Sequence, residues 1–234
     1  MSPSKVQSML VTRNLTVVFT RWGQEITALA GVSFEVSPGE WVAIVGHNGS
    51  GKSTLLNAIA GSIPLHLGDV IIDGRPKASI SRRKLARIVF TVHQNPGLGT
   101  APLLTVWENL RVADPAGDVE QYDELLHQVG LSDRKHQPAK SLSGGERQLL
   151  ALTIARLRRP RLLLLDEPLA ALDPERARMC VCLISEIHKG GATVLQVTHD
   201  LETLAPLVDR TLSLDHGRLI ADRIRPSRQP VHAI

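Results

Sequence analysis

The chain has 234 residues, of which 43% are hydrophobic, 21% charged and 3% aromatic, with a formal net charge of +4. That length suits one large α/β domain or one domain with a small insertion, its core built from Leu, Val, Ile and Ala rather than aromatic rings. No apolar run approaches the roughly 18 residues of a membrane span, the N-terminus lacks a charged-then-apolar secretion signal, and the basic excess is too mild to argue for nucleic acid.

In chain order, residues 9–19 and 32–36 read as strands, the second alternating cleanly as Val32-Ser33-Phe34-Glu35-Val36. Ser37-Pro38-Gly39-Glu40 is a turn, and Trp41–Val45 is a short apolar run typical of a strand buried on both faces. A glycine loop follows, then a helix over Lys52–Ala60 stopped by Gly61. Asp69–Asp73 and Ile88–Val92 read as further strands. Thr105–Ala113, Val119–Val129 and Gly145–Arg158 read as helices, so 95–158 forms a helical insertion. Strands return at Arg161–Leu165, Thr193–Val197, Thr211–Leu214 and Arg218–Ala221, mostly separated by helices, the pattern of a parallel sheet. The tail from 223 to 234, with Pro226 and Pro230, is expected to be loosely ordered. No internal repeat is evident, so residues 1–234 make one domain. Cys180 and Cys182, two apart in a helical segment, do not share a face and make neither a disulfide nor a metal pair.

Three stretches carry chemistry. Gly46-His47-Asn48-Gly49-Ser50-Gly51-Lys52-Ser53, followed by Thr54, fits G-x-x-x-x-G-K-[ST] between a strand and a helix. Glycines let the backbone wrap phosphate closely, and successive N–H groups and the helix N-terminus face the anion. Lys52 is expected to reach the β- and γ-phosphates and Ser53 to ligate Mg²⁺. Next, Leu162–Leu165 leads into Asp166 and Glu167. Asp166 is placed to hold Mg²⁺ through water, and Glu167 to accept a proton from the attacking water. Last, Ser143, Gly144 and Gly145 lead into the helix that carries Glu146, and its dipole favours an anion at that end. Alone this would be an ordinary helix cap; one chain carries it together with a complete phosphate cradle.

The order of phosphate loop, Gln94, Leu142-Ser143-Gly144-Gly145-Glu146-Arg147-Gln148, Leu164-Leu165-Asp166-Glu167-Pro168, Ala171-Leu172-Asp173 and Thr198-His199-Asp200 resembles an ABC transporter ATP-binding subunit over about residues 9–222. The resemblance implies a phosphate-loop NTPase core with a mostly parallel sheet, an N-terminal antiparallel β-subdomain and an inserted α-helical subdomain. It implies ATP and Mg²⁺ as ligands. Gln94 would sense Mg²⁺ and the attacking water and touch the membrane partner. Ser143, Gly144, Gly145 and Glu146 would meet the nucleotide of the other subunit, Asp173 would cross the dimer interface, and His199 would contact the γ-phosphate. An aromatic residue before the loop would stack on adenine: Trp22, which Gly23 exposes at a turn, is favoured over Phe19, whose alternating segment suggests a core position.

The family works as a dimer of identical or similar ATPase subunits. Without a span, this chain implies separate membrane permease subunits and a peripheral place on the cytoplasmic face of the membrane. The segment Gly99–Leu110 resembles bacterial importer cassettes for amino-acid-like solutes, which would add a periplasmic binding protein. Export or lipoprotein release would use the same catalytic residues. A soluble ABC ATPase acting on ribosomes or DNA fits less well, since such relatives carry two cassettes or long coiled-coil insertions.

Overall fold

The computed structural model describes residues 7–225. Two sheets form its frame. The first is antiparallel, with strands β1 (Leu10–Arg21), β2 (Gln24–Val36), β4 (Leu67–Ile72) and β5 (Arg75–Pro76) in the order β2-β1-β4-β5. The second has six strands in the order β10-β9-β3-β8-β7-β6: β3 (Trp41–Val45), β6 (Val89–Val92), β7 (Leu162–Asp166), β8 (Thr193–Val197), β9 (Arg210–Asp215) and β10 (Arg218–Ile224). Every pairing in it is parallel except the β9–β10 hairpin.

The apolar runs explain the second sheet. All five residues of β7 and all five of β8 are buried, as strands covered on both faces must be. Alternate residues face different cores. Val42, Ile44, Leu162, Leu164, Leu195 and Val197 pack with helix α1 (Lys52–Ala60) and the first sheet. Trp41, Ala43, Leu163, Leu165 and Val194 pack with α5 (Gly144–Arg158) and α6 (Pro174–Lys189). Between β6 and β7 the regular structure is helical: short turns plus α3 (Val106–Ala113), α4 (Val119–Gln128) and α5.

Local differences from the sequence reading have physical causes. β2 begins at Gln24, eight residues before its alternating part, because cross-strand pairing from Arg21↔Gln24 up to Leu15↔Val32 holds a stretch without a period-two pattern. The two-residue loop Trp22-Gly23 has φ of 54° and 75°, the turn whose twist matches a hairpin. Ile88 ends a helix, α2 (Arg82–Ile88), instead of opening a strand. That helix is short and basic and is capped by the Ser81 hydroxyl, which accepts from the Lys84 N–H. β10 continues through Arg223 and Ile224, paired with Thr211 and Arg210, so those residues are strand rather than loose tail; 226–234 lie outside the described residues. Phe19 is 42% exposed, contrary to its expected core position, because it pairs with Ile26 on the open end of the first hairpin. Cys180 is buried, which pushes its thiol up to about 12, and Cys182 is exposed; both are free.

Arg210 stitches the strand edges together. Its guanidinium donates to both Asp222 oxygens at 2.5 Å, to the Glu35 carbonyl at 2.8 Å and to Glu40 at 3.3 Å, with its side chain only 15% exposed. Arg210→Ala is therefore expected to destabilise the fold by about 2 kcal/mol, because it strands two carboxylates and a carbonyl. The Arg210 hydrogen bonds hold the Asp222 carboxyl below its usual range. The stabilisation is thus present above the ordinary carboxylate range and is lost as pH falls through the lowered Asp222 value. Thermal unfolding of both proteins across pH should show a gap at neutral pH that narrows in acid.

Candidate functional site

Parallel strands end on the same side, so the residues just past β3, β6, β7 and β8 meet at one edge of the sheet. There a cavity of about 420 Å³ is lined by Ala28, Asn48, Gly49, Gly51, Lys52, Ser53, Thr54, Gln94, Glu167 and His199.

The loop from Gly46 to Gly51 closes this cavity because its glycines permit it. Gly46 has φ of 155°, and a Cβ there would strike the Leu214 carbonyl; Gly51 has φ of 102°, and a Cβ would lie 2.6 Å from the Ala28 carbonyl. Lys52 is buried and folds back, donating to the Gly46 carbonyl at 2.9 Å and the His47 carbonyl at 3.0 Å. Gly51 caps α1 with no side-chain acceptor, and no acid lies in the first turn, so the helix presents bare amide groups to the cavity. The Ser50 hydroxyl is buried without a partner. A tight loop whose glycines pack against neighbouring carbonyls, a cation and uncapped amides together fit a bound phosphate chain.

Ser53 donates to Asp166 Oδ1 at 3.0 Å, joining the loop to the end of β7. Asp166 is only 8% exposed. Burial pushes its carboxyl up, opposed by the Ser53 hydrogen bond and reinforced by the adjoining Glu167. A hydroxyl and a carboxylate in contact are the oxygen donors a Mg²⁺ ion takes. Glu167 follows at φ of 49°, an unusual backbone for a residue other than glycine, with its N–H on the Val197 carbonyl at 3.2 Å. Its two carboxylate oxygens are both engaged: Oε1 lies 2.9 Å from His199 Nε2, and Oε2 accepts from Gln94 Nε2 at 3.3 Å. His199 and Gln94, from two other strand ends, thus converge on the Glu167 carboxylate.

Other expected residues lie elsewhere. Ser143, Gly144, Gly145 and Glu146 do not line the cavity. Ser143 and Glu146 form a capping box at the start of α5: the Ser143 N–H donates to Glu146 Oε2 at 2.7 Å, and the Glu146 N–H to the Ser143 hydroxyl at 3.3 Å. The Ser143 N–H lowers the Glu146 carboxyl. Glu146 thus caps the helix within its own chain, and Ser143 and Gly144 are exposed at the helix start. Asp173 caps α6 by accepting from the Glu175 and Arg176 N–H groups, and its carboxylate pairs with Arg176 at 2.7 Å. Trp22 is 92% exposed at the hairpin tip and touches no part of the cavity, and Phe19 does not line it either. The His47 imidazole turns away toward Asp215, with Nε2 at 2.7 Å from Oδ1. Asn48 and Asp215 raise its pKa. Ala28 and Arg176 were not foreseen. Ala28 meets the loop through its backbone, which leaves no trace in sequence, and Arg176, which a Cβ on Gly145 would meet at 2.6 Å, lies on a different helix.

The family described as "ABC transporter" matches residues 29–170, more than half of the chain. A tyrosine transport ATP-binding protein from Clostridioides difficile is 36% identical over 92% of this chain and 91% of its own length. An aliphatic sulfonates import ATP-binding protein from Agrobacterium fabrum is 40% identical over 83% of this chain and 73% of its own. Among solved structures, a dimeric bacterial ABC transporter cassette superposes with a TM-score of 0.82 at 28% identity, covering 94% of this chain and all of that one. A dimeric post-hydrolysis cassette bound to ADP and Pi gives a TM-score of 0.81 at the same identity.

The buried Asp166 charge costs stability. With its carboxyl raised by burial, its charged form disfavours folding above the raised value, and this cost vanishes below the ordinary carboxylate range. Asp166→Asn should therefore raise the Tm of the nucleotide-free protein at neutral pH by about 2–4 °C. Calorimetry should show that gain shrinking in acid.

Proposed function

Because this chain belongs to the ABC transporter family, as an ATP-binding and ATP-hydrolysing subunit, we propose that it works as a head-to-tail dimer, joined to separate membrane permease subunits at the cytoplasmic face of the membrane. The observation that carries this reading is Glu167 held between His199 and Gln94 beside the Lys52 loop, while the Ser143 turn of the same chain stays outside that cavity. A cradle and a phosphate-facing turn that do not meet within one chain support a site completed by a second copy. Two-fold pairing then closes both sites at once, since each chain offers both halves. The dimeric cassettes among the solved structures support the same arrangement.

Within each site, Lys52 and the loop amides hold the phosphates of ATP, and Ser143, Gly144 and Gly145 of the second copy cover the γ-phosphate. Ser53, Asp166 and Gln94 would hold Mg²⁺, which offsets charge on the phosphates when bound. Glu167 accepts the proton of the attacking water, and His199 keeps that carboxylate aimed. Asp173 lies at the dimer interface. Trp22, at the tip of a hairpin, stacks on the purine. Residues 95–158 act as an inserted helical subdomain that carries the Ser143 turn, and Gln94 links it to the phosphate end of the site.

The relatives named for tyrosine transport and for import support an importer of amino-acid-like solutes, supplied by a periplasmic binding protein. Among the described residues no helix is long and apolar enough to cross a membrane, which agrees with a peripheral subunit.

Glu167→Gln should keep nucleotide affinity and lower ATP turnover by about 10²–10⁴-fold. With ATP it should run as a dimer in gel filtration, since ATP bridges the halves and hydrolysis releases them. Wild-type turnover in this variant would place the base elsewhere. Heterodimers of Lys52→Ala with Ser143→Arg chains retain at most one intact site. Full activity of isolated monomers would refute the shared site.

A further inference from the structure

The β9–β10 hairpin ends against the phosphate loop. Its two-residue tip is His216-Gly217, with φ of 43° and 72°. The backbone fixes the tip in place: the Gly217 N–H donates to the Ser50 carbonyl at 3.0 Å, and the Ala30 N–H donates to the Gly217 carbonyl at 2.9 Å. Three donor groups converge there. His47 Nε2 lies 2.7 Å from Asp215 Oδ1, and His216 Nε2 lies 3.8 Å from that same oxygen. One ligand atom from each residue falls within 4.8 Å of the others, and no other group of three or more His, Cys, Asp or Glu among the described residues does this.

The second nitrogen of His47 sharpens the point. Nδ1 lies 2.6 Å from the Asn48 carbonyl. With Nδ1 donating there, Nε2 is the nitrogen left for an ion, which would displace the proton that Nε2 shares with Asp215 at 2.7 Å. The Nδ1 contact is the outer hydrogen bond that fixes the tautomer of metal-binding histidines. Neither Asp215 nor His216 lines the nucleotide cavity, and the His47 ring points away from it.

We propose that His47, Asp215 and His216 form a metal site on the outer side of the phosphate loop, separate from the Mg²⁺ position, that takes a borderline divalent transition ion, with Zn²⁺ the best match. Two imidazoles and one carboxylate, with a further position open to solvent, are a zinc donor set, whereas Mg²⁺ prefers all-oxygen ligands. Bonds of about 2.0–2.2 Å to each ligand need the His47–Asp215 pair to open slightly and His216 to swing in. The side chains are 50%, 40% and 84% exposed, and the His47 and His216 rings already lie in edge contact with centroids 5.1 Å apart, so both movements are short.

The test uses the full chain without an affinity tag, in excess Mg²⁺ and without nucleotide. Calorimetric titration with ZnCl₂ should show one equivalent bound, and Co²⁺ in its place should give the visible absorption of a four- or five-coordinate ion. Asp215→Asn and His216→Asn should each weaken Zn²⁺ binding by about tenfold or more. Asn tolerates the left-handed backbone at 216, so the hairpin should persist, and an unchanged Tm and ATP turnover of His216→Asn would verify this. No saturable Zn²⁺ binding by the wild type would overturn the site. So would wild-type affinity in the Asp215→Asn/His216→Asn double variant, which would put the ion on other histidines or on Cys182.

Discussion

A parallel sheet buried on both faces can present polar side chains to a ligand only at its ends, and this constraint organises the molecule. Leu162–Leu165 and Thr193–Val197 are shut between two cores, so Asp166, Glu167 and His199 appear only where their strands run out. The strands being parallel, those ends coincide. Gln94 arrives from β6 and the glycine loop from β3 by the same rule. No loop had to be bent over a distance to bring them together. The cores that stabilise the fold also hold the site, and a cavity made in either would loosen the catalytic spacing as well as the protein.

At the same edge the backbone departs from its preferred states. Glu167 sits at positive φ, as does Ala171 four residues later. For residues with a Cβ this costs of order 1–3 kcal/mol each. The surroundings over-determine the Glu167 conformation: its N–H is taken by Val197, its carbonyl accepts from Ala170, and its carboxylate is shared by His199 and Gln94. The two adjacent acids face different partners, Asp166 the Ser53 hydroxyl and Glu167 the open cavity.

The sheet core, the glycine loop and the strand-end acids were legible because each rests on local pattern: an unbroken apolar run, a glycine spacing, a carboxylate after four leucines. What escaped was non-local or two-sided. The first part of β2 is a strand because β1 pairs with it, not because of its own sequence. α2 has seven residues, a basic surface and a single serine cap three residues before the Lys84 N–H that it accepts from, too little for periodicity to register. His47 reads as part of the loop, but its ring answers to Asp215, 168 positions away. Glu146 reads as part of a phosphate turn, but the same residue spacing is also a capping box, and the structure uses it as one.

The capping box bears on how the Ser143 turn would work in the proposed dimer. A serine that only accepts from the Glu146 N–H keeps its own proton to donate, and the Glu146 carboxylate, turned back to the Ser143 N–H, does not face an incoming anion. The turn thus presents a hydroxyl and amides with the repelling charge folded behind them. Gly145 extends the argument. Arg176, paired to Asp173, lies where a Cβ on Gly145 would stand. The start of α5 and the start of α6 are therefore packed through one arginine, whose charge adds to the positive end of α5. In the proposed dimer both would face the second copy, so a displacement of either across the interface is transmitted to the other by contact, with no longer path needed.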